Sequence, residues 1–164
     1  LNNNSSWAID ILAENDYMYD SSVVPAKTSM YGLPGAQESP YKITSKNIEK
    51  DNSNGTLIEF PLLVTNFLGK KIPAAGGFYL RTLPTRITKN AIKNYEKQGM
   101  PASFYIHSWE LTPEYMPKLE LPFKDNFATF HNIDDTYRRM NEILEEFEFT
   151  SFSNYISQGM NLSN

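Results

Sequence analysis

From Thr85 to Tyr95 the apolar residues Ile87, Ala91, Ile92 and Tyr95 fall on one face at helical spacing, which predicts an amphipathic helix. Pro84-Thr85 opens it, Gly99 supplies the stop, and Pro101 prevents continuation. Met140, Ile143, Leu144 and Phe147 repeat at i, i+3, i+4 and i+7 and predict a final helix, with Asp134 or Asp135 placed to cap it. Near the start, Asn4, Ser5 and Ser6 offer caps for a short helix carrying Trp7, Ala8, Ile11 and Leu12, which ends near Asn15-Asp16. Phe127 and Phe130 anchor a further short helix.

Between these helices the pattern changes to aromatic and β-branched runs. Tyr17–Val24 (YMYDSSVV), bounded by Pro25, reads as a strand, as do Thr56–Phe60 (TLIEF) and Leu62–Leu68 (LLVTNFL), which Pro61 separates. Lys70–Leu83 sets the pair Gly76-Gly77 before an aromatic stretch of strand character. Ala102–Leu111 (ASFYIHSWEL) predicts a buried strand that delivers His107, at its C-terminal end, to a polar site. Pro25 to Asn54 shows no period and reads as a long excursion with its tip at Lys50–Gly55; residues 112–123, with Pro113, Pro117 and Pro122, read as an extended surface loop. The GMNLSN tail is expected to fray, and no internal repeat is present. Strands separated by helices give an α/β class carrying an irregular β insertion.

A chain of 164 residues with 40% hydrophobic content suits one domain, 1–164, with a real core. The net charge of −4 and the lack of a basic run argue against a nucleic-acid partner and against a membrane-surface helix. Without cysteine there is no disulfide framework, thiolate nucleophile or Cys-ligated zinc. No apolar stretch approaches the roughly 20 residues needed to span a bilayer. LNNNSSWAID has neither the basic nor the apolar region of a signal peptide, and it lacks an initiator Met, so a processed, truncated or excised chain is the expectation. The compartment stays open between cytoplasm and cell envelope.

Among candidate functional residues His107 comes first, because groups at strand C-termini collect at active sites in α/β folds and an imidazole suits general-acid work. A satisfied structural histidine is the competing reading. Asp20, in the YDSS turn, either orients an imidazole or caps the turn with Ser21 and Ser22. Arg81 either binds a carboxylate, phosphate or sugar hydroxyl or is a solvated edge residue; Gly76-Gly77 beside it signals close backbone approach. Glu110 reads as a loop residue, or as a glycosidase carboxyl partnered by Asp20. His131, Asp134 and Asp135 resemble a metal cluster, but capping explains the aspartates better. Trp7 and Trp109 are packing residues by default, with stacking on sugar rings as the alternative. No phosphate loop, G-x-S-x-G elbow or H-E-x-x-H pattern occurs.

Five blocks in order, WAIDILAENDYMYDSSVVP, LIEFPL, PAAGGFYLRTLP, ASFYIHSWELTPE and NIDDTYRRMNEILEEFEF, resemble polysaccharide deacetylases of the NodB-homology type. The likeness is to the subgroup with a C-terminal extension of uncharacterised role, and it covers roughly Trp7–Phe152. It implies the C-terminal portion of a distorted (β/α)7 barrel, with about 26–83 as insertion or extension and 84–156 as the last helices and strand. It implies hydrolysis of N-acetyl groups on an acetylated polysaccharide or oligosaccharide, with a divalent metal, zinc or similar. In that family an aspartate and two histidines hold the metal and a neighbouring aspartate is the base, in motifs of TFDD and H-S/T-x-x-H type. Neither motif occurs here, and an arginine-bearing third motif would fall before Leu1.

By the same resemblance YDSSVVP matches the fourth motif and FYIHSW the fifth. Asp20 then corresponds to the carboxylate that orients the catalytic histidine, and His107 to that histidine. Ile106 and Trp109 wall the acetyl pocket, and Arg81 and Gly77 lie near substrate. The chain is thus expected to carry the acid half of a site, to bind no catalytic metal alone, and to be nearly inactive alone. It is expected to oligomerise, to associate with the missing N-terminal half, or to rearrange. A glycosidase-like barrel fragment and a non-catalytic carbohydrate-binding or interaction module are the competing functions.

Overall fold

The computed structural model describes residues 1–28, 31–117 and 119–159. Its central strand grows out of the alternation in TLIEF. Leu57 and Glu59 are buried on one face of β3 (Leu57–Glu59), with Ile58 on the other. β3 pairs in parallel with β1 (Tyr19–Asp20), setting Asp20 opposite Glu59, and antiparallel with β2 (Tyr41–Ile43). The order β1-β3-β2 leaves β1 on an edge. Beyond β3 the chain stays extended: Leu62 N–H donates to Val23 O (2.9 Å), and Leu63 N–H to Ser103 O (3.0 Å). A second sheet is the hairpin β4 (Val64–Phe67) and β5 (Lys70–Pro73), whose turn places Leu68 and Gly69 at φ 49° and 76°. Both signs are those of a hairpin turn matched to strand twist.

Helices cover the extended 62–64 segment. α3 (Thr85–Lys97) and α6 (Thr136–Leu144) bring Ala91, Ile92, Tyr95 and Ile143 against Leu62, Leu63 and Val64, with Leu80 of α2 (Gly77–Thr82) beside them. A second core joins Ile9 of α1 (Ala8–Glu14) to Val23, Leu33, Tyr41, Ile43 and Leu57. The remaining helices are α4 (Ser108–Leu111), α5 (Phe123–Phe130) and α7 (Phe152–Ser157). Among the described residues none of the helices is long and apolar enough to cross a membrane.

The class is mixed α/β with small sheets. No closed barrel forms among the described residues; of the (β/α)7 expectation the structure shows the mixed α/β class alone. The predicted strand over Ala102–Leu111 is replaced by an extended segment with one bridge, Leu62 to Ser103, followed by α4. The aromatic stretch after Gly76-Gly77 is helix, not strand, because Leu80 and Arg81 are buried together and Arg139 caps the Leu80 and Leu83 carbonyls. Strand Tyr17–Val24 narrows to Tyr19–Asp20, and the aperiodic excursion contains β2. Asp135 makes no capping bond to α6; it pairs instead with Arg138 (3.1 Å) and Arg139 (3.4 Å). α7 is an addition to the predicted elements, held by Phe152 stacked on Phe60 at 4.1 Å. The expected fraying of the tail falls largely on residues 160–164, outside the described residues.

Candidate functional site

His107 ends the extended segment and occupies the N-cap of α4, with φ −76° and ψ 144°. Glu110 lies one turn on, and its carboxylate folds back: Oε2 accepts from the His107 backbone N–H (3.1 Å) and meets ring Nδ1 (3.3 Å). This is the logic of a capping box, with histidine where serine or threonine is usual. The His107 side chain is 56% exposed and that of Glu110 only 2%. The imidazole is therefore open to solvent but tethered from below by a buried carboxylate.

A buried carboxylate needs a counter-charge, and Arg81 provides it. From α2, Arg81 Nε (3.3 Å) and Nη2 (3.0 Å) donate to Glu110 Oε1. The guanidinium is completed by Nη1 to His131 O (2.7 Å) and Nη2 to Ala128 O (3.0 Å), at the end of α5. Gly77 makes room for the pair, since a Cβ there would lie 1.9–2.1 Å from the Glu110 carboxyl atoms. Gly76, at φ 92°, faces the Tyr105 ring, which would be 2.9 Å from a Cβ. Tyr105 meets His107 edge-on at 5.4 Å, and Trp109 stacks on it at 5.5 Å. Burial, the neighbouring Tyr31 and then Glu110 push the Tyr105 phenol up to about 12.

A second polar cluster sits between β1 and β3. Ser22 Oγ donates to Asp20 Oδ1 (2.8 Å), and Glu59 Oε1 accepts from the Ser22 (3.2 Å) and Val23 (2.9 Å) N–H groups. Asp20 Oδ2 and Glu59 Oε2 are buried and take no other hydrogen bond. Burial, then the charge of Asp20, pushes the Glu59 carboxyl up to about 8. Both causes favour the protonated form of Glu59, and Asp20 Oδ2 and Glu59 Oε2 are the buried carboxyl oxygens left without a partner.

One family model, described as a domain of unknown function (DUF3473), matches residues 21–157. That span takes in Glu59, Gly77, Arg81, His107 and Glu110, and begins one residue after Asp20. The chain belongs to that family. Neither the curated proteins nor the solved structures contain a match to it.

For this DUF3473 chain, the residues singled out from sequence divide between the two clusters. Among the described residues no hydrogen bond or ion pair joins Asp20 to His107: Asp20 is engaged by Ser22 and Glu59, His107 by Glu110. Arg81 is not an edge residue but is buried, 1% exposed, in its pair with Glu110. Gly77 lies against that carboxylate, Ile106 packs on the α3–α6 core, and Trp109 covers one face of the imidazole. The His131 ring stacks on Phe127 at 4.3 Å, while its carbonyl serves Arg81.

In the sequence only its place on the buried side of TLIEF signals Glu59, and Glu110, which reads there as a loop residue or a glycosidase carboxyl, is the buried partner of His107 and Arg81. Among the described residues no group of three or more His, Asp or Glu is placed to hold a metal ion, so the residues present do not fit the metal that the resemblance implies. A cavity of about 560 Å3, lined by Phe60, Met100, Phe104, Phe147, Phe152 and Tyr155 among others, lies elsewhere and includes neither His107 nor Glu110.

Proposed function

We propose that this DUF3473 chain is the C-terminal part of a metal-dependent polysaccharide deacetylase, hydrolysing N-acetyl groups of a glycan with His107 as general acid. The observation that carries the reading is an exposed imidazole tethered at Nδ1 by a buried carboxylate, with Nε2 unpartnered among the described residues. A ring held this way has one nitrogen fixed and one free to pass a proton. The association of DUF3473 domains with polysaccharide deacetylases supports the class. Trp109 and Tyr105, flanking the imidazole, offer the aromatic faces on which a sugar ring packs.

A divalent metal, zinc or similar, supplies the activated water in this chemistry. The described residues do not form its ligand set, so the reading places that set on a counterpart bearing the aspartate-pair and H-S/T-x-x-H motifs. The partner is then that counterpart, and the substrate an acetylated polysaccharide or oligosaccharide. The glycosidase alternative needs Glu110 as a reacting carboxyl, and burial against Arg81 counts against it.

Product analysis on an acetylated chito-oligosaccharide tests the proposal. The chain alone is expected to bind no zinc tightly and to release negligible acetate. The polypeptide that also carries the metal motifs is expected to release acetate and amine, and His107→Ala to abolish this while folding persists. New reducing ends would favour a glycosidase. Unchanged turnover in His107→Ala, or robust acetate release with one tight zinc on this chain alone, would sink the proposal.

A further inference from the structure

We infer that Glu110 and Arg81 are positioning residues for His107, filling the role that the motif resemblance gives to Asp20. The two oxygens of Glu110 have separate duties. Oε1 takes both bonds from Arg81, and Oε2 takes the backbone N–H and the ring Nδ1 of His107. A carboxylate only accepts, so a hydrogen bond at the Oε2 contact requires Nδ1–H and leaves the exchangeable proton on Nε2, whereas the capping-box alternative, with the ring accepting from the Glu110 backbone N–H, would leave Nδ1 bare. Arg81 cannot swing away, because its fork is also held by the Ala128 and His131 carbonyls. Gly77 leaves the carboxylate no side chain to displace it. Asp20, bonded to Ser22 and set against Glu59, makes no such contact with the imidazole.

The use of this arrangement rests on the deacetylase reading; the fixing of the ring does not. As the tetrahedral intermediate collapses, the C–N bond breaks and its electron pair goes to nitrogen. The Nε2 proton of the imidazolium passes to that nitrogen, amine leaves, and acetate remains. His107 is then neutral, with its one proton on Nδ1 toward Glu110. No rotation of the ring is needed at any point.

The test reads the tautomer directly. In the 15N-labelled chain, at alkaline pH, the two ring nitrogens of His107 give distinct shifts for N–H and bare nitrogen. The wild type is expected to carry its proton on Nδ1. In Glu110→Gln the amide oxygen is drawn to the Arg81 donors, which turns its NH2 toward His107, sacrifices the bond from the His107 backbone N–H and moves the ring proton to Nε2. Arg81→Lys keeps the charge but not the fork, and is expected to give a mixture of tautomers.

Where acetate release is measurable, Glu110→Gln should lower kcat about a hundredfold or more, with KM changed less than about threefold. A wild-type chain with its proton on Nε2 overturns the inference even if no variant folds. So does a tautomer indifferent to both substitutions. Loss of turnover in His107→Ala alone would then leave the deacetylase reading standing. A fixed Nδ1–H tautomer without any acetate release would do the opposite, upholding the tether of His107 and removing the deacetylase reading.

Discussion

Replacing Glu59 with glutamine keeps the shape of a carboxyl group whose proton burial and Asp20 favour, and removes its ability to ionise. The ordinary glutamate value is 4.5, and the folded value is pushed up to about 8 by burial and by Asp20. Between those limits the unfolded chain has lost a proton that the folded chain keeps, so unfolding releases it and rising pH favours unfolding. The contribution is fully present below 4.5 and lost as pH rises through about 8. Within that window each pH unit costs about 1.4 kcal/mol, and two units cost between about 2 and 3 kcal/mol. In Glu59→Gln the amide oxygen keeps the Ser22 and Val23 N–H bonds, and the NH2 can donate to the orphaned Asp20 Oδ2. Urea unfolding, followed by tryptophan fluorescence and circular dichroism across the window, compares the two slopes. The variant should gain on wild type by that amount over two pH units, with m unchanged. Groups common to both chains cancel in the difference. A stability difference independent of pH would refute the protonated Glu59, whatever its sign.

Two other substitutions test the packing around Arg81. Gly77→Ala pushes a methyl group into the Glu110 carboxylate and should cost about 2–4 kcal/mol in urea unfolding; a loss below about 0.5 kcal/mol would mean that the carboxylate rests elsewhere. Arg139→Met removes the donor to the Leu80 (3.1 Å) and Leu83 (2.8 Å) carbonyls. It should cost about 1–2 kcal/mol and speed amide exchange across α2, and unchanged exchange there would contradict the capping role.

What could be read from the chain tracks how local its causes are. α3 was legible because its apolar face, its Pro84 start and its Gly99 stop all lie within the helix or beside it. β3 and β4 lie within TLIEF and LLVTNFL, the strand-like runs that Pro61 separates. GFYLRT failed because its aromatic residues favour strand locally, whereas its helix is fixed by Arg81 and Arg139 contacts reaching far along the chain. ASFYIHSWEL forms no named strand: its first part is extended with the single bridge at Ser103, and from Ser108 the His107-x-x-Glu110 spacing of an N-cap and its N3 partner starts a helix. The glycine pair does mark close approach of backbone to other groups. Those groups are the chain's own Tyr105, against Gly76, and Glu110, against Gly77. No period links Arg81 to Glu110, so the buried guanidinium that anchors the tether of His107 had no signature in the sequence.

Arg81 draws its partners from Glu110, 29 residues on, from Ala128, 47 on, and from His131, 50 on. In a chain emerging from the ribosome, α2 and α4 are therefore complete before the last two acceptors exist. A nascent chain that stops short of α5 has His107 in place but leaves the guanidinium beneath it only partly anchored. Vectorial synthesis thus delays a rigid imidazole until the polypeptide has passed residue 131, and a proteolytic cut between α4 and α5 that freed the later segment would undo that rigidity while leaving His107 and Glu110 on one piece.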